Sequence, residues 1–225
     1  MTQMNTQWMQ QLTAALRSAQ TQARLAAALS AGSNPAPELV EVRVGRCAVE
    51  TDFFVGDMLT WALTQHDRDA VVDRLLPELT SPVARARSQA LHTLAKIGDP
   101  KVWPAIGREL LSDADDEVAR TAWRAAASLV PDGGEGRLAE VLAAQLGRGP
   151  RGVRLSLSQA MVMLGEAAIP VLEAARDSSD EVVRTHAIAT LRLIEDPDSA
   201  FELAVEEAKR VRTLRGAPLV GADAC

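Results

Sequence analysis

The strongest constraint on this chain is that it repeats itself. The segment ARSQALHTLAKIGDP (86–100) has the layout of VRTHAIATLRLIEDP (183–197): an Arg in second place, Ala and Leu at matched spacing, and a closing Asp-Pro. Between them lies a third relative, DEVARTAWRAAASLVPD (116–132), and the pieces DDEVAR (115–120) and SDEVVR (179–184) are nearly identical. An Ala followed four residues later by Leu marks each copy, at Ala90/Leu94, Ala125/Leu129, Ala160/Leu164 and Ala187/Leu191. Val83, Val118 and Val153 stand seven residues before the Ala in three of them. Acidic residues that read as helix ends recur at Asp67, Asp99, Asp132 and Asp196, the first three separated by 32 and 33 residues. A period of this length belongs to stacked supersecondary units, each unable to bury its apolar face alone.

Composition says what the units are made of. Hydrophobic residues are 47% of the 225, yet aromatics are only 3% and Tyr is absent. Ala and Leu, both strong helix formers, supply most of the apolar surface. Val118, Ala122, Ala125 and Leu129 recur at spacings of three and four, which places them on one face of a helix. The run SDADDE (112–117) offers capping oxygens and negative charge at that helix's start.

Each copy therefore reads as two antiparallel helices, A then B. The expected A/B pairs are 35–49/52–66, 68–79/82–97, 99–112/116–130, 133–147/150–164 and 166–177/180–194. Pro82, Pro100 and Pro150 fall at first turns, where a missing N–H costs nothing, and Pro104 and Pro170 fall early in A helices, where they are expected to kink them. Residues 1–34 are expected to form an N-terminal capping helix or helix pair, 35–197 about five repeats, 198–215 a C-terminal capping helix, and 216–225 a disordered tail. The expected fold class is all-α, a right-handed α-solenoid of antiparallel helix pairs.

These residues resemble the HEAT repeat family, and within it the shorter bacterial phycobilisome-lyase HEAT-like repeats. The resemblance covers about 35–197 and rests on an apolar A helix, an Asp-rich turn, and a B helix of the type V-R-x-x-A-x-x-x-L ending near G-D-P. Val183 to Leu191 followed by Glu195-Asp196-Pro197 fits it fully; Ala86-Arg87 through Gly98-Asp99-Pro100 fits with Ala for Val; 118–132 and 153–166 fit more loosely, and 52–67 weakly. The resemblance implies a HEAT-like/ARM-like superhelix with B helices lining the concave face. It implies no chromophore chemistry, because the motif is structural.

The net charge of −6 excludes a globally basic, nucleic-acid-coating chain. The distribution is uneven. The five B helices as placed sum to +3, whereas the four A helices that follow the first, together with the last helix after the pairs, sum to −7. Arg85, Arg87, His92 and Lys96 have no acid among them in their own helix. This predicts a mildly basic concave groove for an anionic partner: an acidic peptide, a phosphorylated segment or nucleic acid. Arg87 and Arg184 have a competing structural role, as bonds to the Asp-rich turns of neighbouring repeats. The groove candidates are Trp61, Arg85, His92, Arg120, Trp123, Arg124 and Arg154. For Trp61 and Trp123 a place in the core between helices is an equal alternative.

Catalytic signals are absent from the sequence. His66, His92 and His186 form no His-Glu or i, i+4 His pair, which speaks against the di-iron branch of HEAT-like proteins, and neither a zinc site nor any other metal or cofactor is expected. The cluster Asp113, Asp115, Asp116 and Glu117 lacks the order and the Gly of a calcium loop. Cys47 and Cys225 have no metal spacing, which makes a reduced, cytoplasmic setting the expectation. Residues 1–16 carry no Lys or Arg, and no run of about 18 apolar residues is read as a membrane span.

The expected function is a non-catalytic adaptor that holds a peptide or protein segment in the groove. One alternative is a DNA-binding protein resembling the HEAT-like alkyl-purine DNA glycosylases, with Asp57 and Trp61 one turn apart as its pocket. Another is a small-molecule sequestration protein, with Trp61, Trp123 and Met161 or Met163 lining a closed pocket.

Overall fold

The computed structural model describes residues 3–196. The capping helix expected at 198–215 and the tail at 216–225 lie outside the described residues, as does Cys225. Within them the chain is all-helical and no strand is present. Two helices, α1 (Gln3–Leu16) and α2 (Thr21–Ser33), come first. Then follow α3 (Leu39–Cys47), α4 (Phe53–Thr64), α5 (Arg68–Leu75), α6 (Ala84–Ile97) and α7 (Arg108–Leu111). The last five are α8 (Asp116–Leu129), α9 (Glu135–Ala143), α10 (Arg151–Leu164), α11 (Ile169–Arg176) and α12 (Glu181–Glu195).

The even-numbered helices from α4 onward coincide with the expected B helices to within a few residues. The odd-numbered ones are shorter and irregular, for local reasons. A 3-10 turn, Leu76–Thr80, extends α5, and another, Pro100–Ala105, precedes a four-residue α7. Pro104 lies inside that 3-10 turn, which ends at Ile106 with ψ near 76°, so the expected helix is broken rather than kinked. Pro170 sits in the first turn of α11, where a ring is tolerated, and causes no kink.

The recurrent acids have a different task from the one their position suggested. Asp67 and Asp99 open the next element: Asp67 accepts from the Ala70 N–H at 3.0 Å and Asp99 from the Lys101 N–H at 2.9 Å. Asp52, Asp115 and Asp180 cap α4, α8 and α12 in the same way.

Each even-numbered helix packs on the next, from α2 through α12. The repeated Ala explains why they fit: Ala90, Ala125, Ala160 and Ala187 are all buried and present only a methyl group to the packing surface. One continuous core runs from Leu12 to Ala187. Hydroxyl pairs cross between neighbouring even helices at near-constant spacing: Thr60–Thr93 at 3.0 Å, Ser88–Thr121 at 3.2 Å and Ser158–Thr190 at 2.7 Å. Each pair satisfies polar atoms that the stacking would otherwise bury alone.

Arginines tie the turns. Arg24 bonds Glu50, and Arg87 bonds Asp113, both 26 residues ahead. Arg24, Arg87 and Arg184 also each donate to the carbonyl of a Ser six residues earlier, namely Ser18, Ser81 and Ser178.

One correction concerns hydropathy. The stretch 151–176 is long and apolar enough, by length and composition, to cross a membrane. Here it turns at Gly165, whose φ is 58°, and splits into α10 and α11. Of its most apolar window, 44% is buried against the rest of the chain.

Candidate binding groove

A depression of about 570 Å³ opens across α4, α6 and α8. On α6 it is lined by Arg85, Ser88, Gln89 and His92, at helical spacings of three and four; on α8 by Glu117, Thr121 and Arg124. The opposite face of each helix carries the buried core residues, so periodicity alone directs these side chains outward.

The expected basic character does not survive a count of the lining. Glu50, Asp52, Asp57, Asp115 and Glu117 face Arg85 and Arg124, five acids against two arginines. The excess of cations on α6 is neutralised from neighbouring elements: Lys96 donates to Asp57 at 2.6 Å, and Arg87 pairs with Asp113 at 2.9 Å. A sum over single helices misses pairs that form only when helices stack.

The acids, however, are occupied. Glu50 is buried and accepts from Arg24, Arg46 and the backbone N–H groups of Thr51 and Asp52. Burial pushes its carboxyl up, but these hydrogen bonds prevail and hold it at about 2. Asp52 and Asp115 cap their helices, and Glu117 takes Arg120 at 3.1 Å. The hydrogen bond from Lys96 holds Asp57 below the usual carboxylate range. Arg85 and Arg124 are exposed and have no hydrogen-bond or ion-pair partner among the described residues. The cations open to a ligand are therefore Arg85 and Arg124, although the formal sum of the lining is acidic.

His92 lies between these groups, 3.7 Å from Asp57. Burial, aided by Lys96, lowers its pKa despite Asp57, so the ring is neutral at pH 7. Arg120, one residue before Thr121, is turned toward Glu117 and lies outside the depression's lining.

Neither tryptophan candidate lines the depression. Trp123 is fully buried, its indole N–H donates to the Leu111 carbonyl at 2.8 Å, and it is removed from the list of groove candidates. Trp61 is half-buried, lies against Gly32 of α2, and does not line the depression. Its neighbour Asp57 does, so the pair forms no common pocket. Met161 is buried and Met163 exposed, and neither lines this depression or the one between α10 and α12.

Two residues at the rim escaped sequence reading. Phe53 and Phe54 are 77% and 70% exposed, with ring centroids 5.6 Å apart in an edge-to-face arrangement. Phe53 lines the depression. The signal was their phase: they occupy the first turn of α4, whose core positions are Val55, Leu59, Ala62 and Leu63.

Arg154 belongs to a second depression, of about 560 Å³, between α10 and α12. Its lining includes Leu155, Val182, Ala189 and Leu193. Ser158 and His186 meet there at 3.0 Å, the separation of a nucleophile–base pair. The Gly147 N–H donates to Nδ1 of His186 at 3.0 Å, so the neutral ring carries its proton on Nε2. That nitrogen faces Ser158 and the Arg154 carbonyl as a donor and cannot take the hydroxyl proton. Among the described residues no cluster of three or more His, Cys, Asp or Glu is placed to hold a metal. No protein-family model matches this chain and no curated protein matches it, so the reading of the groove rests on its own geometry.

Proposed function

We propose that this protein is a non-catalytic scaffold, a right-handed α-solenoid of HEAT-like repeats whose even-numbered helices form the inner face. The near-constant spacing of the Thr60–Thr93, Ser88–Thr121 and Ser158–Thr190 pairs supports the repeat reading. The scaffold holds a segment of a partner protein across α4, α6 and α8, in a reduced, cytoplasmic setting. The observation that carries this is the pair Arg85 and Arg124: two exposed guanidinium groups without partners among the described residues, in a depression whose acids are already bonded. Guanidinium forks left open in this way suit carboxylates.

The test is site-specific crosslinking. Phe53, exposed at the rim, is replaced by benzoylphenylalanine and irradiated in cell extract with and without nuclease. The expected result is a protein adduct that survives nuclease and is lost when Arg85→Glu and Arg124→Glu are added. An adduct destroyed by nuclease would transfer the groove to nucleic acid, and no adduct at all would overturn the scaffold reading.

A further inference from the structure

The two depressions lie on one face of the helix row. Counted from the repeated Ala of each helix, Arg85, Ser88 and His92 of α6 occupy the places that Val182, Thr185 and Ala189 occupy on α12. On α10, Leu155 and Ser158 stand where Arg85 and Ser88 stand on α6. The shared position changes character along the row. Arg85 and Arg120 hold it on α6 and α8; Leu155 and Val182 hold it on α10 and α12, 48% and 47% exposed. Exposed aliphatic side chains in a depression lose hydration only when something apolar covers them.

Distance sets the length of whatever bridges the two. From the α6/α8 seam to the α10/α12 seam is two helix steps, about 16–20 Å at ordinary interaxial distances. An extended chain covers that in about five or six residues. A helix over the same span, rising about 1.5 Å per residue, would instead set the two anchors about eleven to thirteen residues apart. A nucleic-acid strand is disfavoured because the second depression, although it carries Arg151 and Arg154 beside Glu181, has no Phe, Trp or Tyr in its described lining on which bases could stack.

We infer that the partner segment is an extended peptide with two anchors: a carboxylate side chain held by Arg85 and Arg124, and a large apolar side chain about five or six residues away, seated between Leu155 and Val182. This rests on the scaffold reading and specifies what that scaffold takes. Specificity follows from the separation of the anchors, since either alone contributes a modest affinity and the peptide backbone links them.

The experiment is selection of a random hexadecapeptide phage library on the purified full chain. Selected peptides are expected to pair Asp or Glu with Leu, Ile, Met or Phe five or six positions away, in either order. Against a labelled selected peptide, Arg85→Glu with Arg124→Glu is expected to weaken binding at least about tenfold. Arg85→Lys with Arg124→Lys should weaken it less. Leu155→Ser with Val182→Ser should keep the acidic preference and lose the apolar one. All these positions are exposed or half-buried, and circular dichroism checks that each variant is folded. Selected peptides with no linked anchors, or with anchors about eleven to thirteen residues apart, would overturn the two-anchor extended segment while leaving a peptide scaffold standing. A library that yields no binder, or a labelled single-stranded oligonucleotide that binds where peptides do not, would overturn the scaffold reading and this inference with it.

Discussion

The Arg87 guanidinium meets the Asp113 carboxylate side by side, Nε to Oδ2 at 2.9 Å and Nη2 to Oδ1 at 3.0 Å, reaching from α6 to the turn that precedes α8. Its Nη1 donates to the Ser81 carbonyl at 2.8 Å. One side chain thus closes its own turn and fastens the next one. The side chains are only 17% and 11% exposed, which places the pair well above an ordinary surface ion pair in worth.

Removing it should show that. Arg87→Ala is expected to lower stability by about 2–4 kcal/mol, because a half-buried carboxylate and a carbonyl lose their donors. Arg85→Ala, two residues away but exposed and unpaired, should stay within about 0.5 kcal/mol. Urea unfolding of both variants separates the structural arginine from the one offered to a ligand. Equal losses would mean that Arg85 also carries the fold.

Gly32 and Trp61 make a second test. A Cβ at Gly32 would clash with the six-membered part of the Trp61 ring, closest to Cζ3, and α2 could not keep its approach to α4. Gly32→Ala is expected to cost about 1–3 kcal/mol by overpacking. Combining it with Trp61→Leu should cost less than the sum of the two single changes, a coupling that a double-mutant cycle measures directly.

Acid should loosen the α10–α12 region. His186 is buried, and burial lowers its pKa, with the charge of Arg154 acting in the same direction and the hydrogen bond to the Arg154 carbonyl opposing. A histidine whose folded pKa lies below 6.5 binds fewer protons folded than unfolded. Its contribution is therefore complete above about pH 6.5 and declines as the pH falls below that value. His66 and His92 shift in the same direction, His66 to about 4 through burial and then Arg43. Wild type should lose stability between pH 7.5 and 5. His186→Gln should be less stable at pH 7.5 by about 1–3 kcal/mol, and the gap should narrow at pH 5. Parallel urea midpoints at the two pH values would contradict the assignment.

Arg43 points the opposite way. It is wholly buried in α3, its Nη2 donates to the Ala31 carbonyl, and its Nε and Nη1 have no partner among the described residues. Burial brings its pKa down to about 10. A buried cation without a counter-charge costs more than an apolar side chain of similar length. Arg43→Met is expected to leave stability unchanged or raise it by about 1–3 kcal/mol, read from the thermal and urea midpoints. A large loss would show that the Ala31 contact outweighs the desolvation.

The sequence by itself determined the even-numbered helices from α4 onward, their order and the cap of α8. Each depends on signals within one or two turns: the three-and-four spacing of Val118, Ala122, Ala125 and Leu129, the repeated Ala, and the acidic run before α8. The tertiary structure decided the chemistry of the groove. Lys96 and Asp57 are 39 residues apart and Arg87 and Asp113 are 26 apart, and each pair exists only because stacked helices bring them into register. The same stacking turned Trp123 inward, set Trp61 against Gly32, and left Arg85, Arg124, Leu155 and Val182 facing out. Periodicity states which face a side chain shares with its neighbours; only the packing of the next helix settles whether that side chain is covered, paired or free.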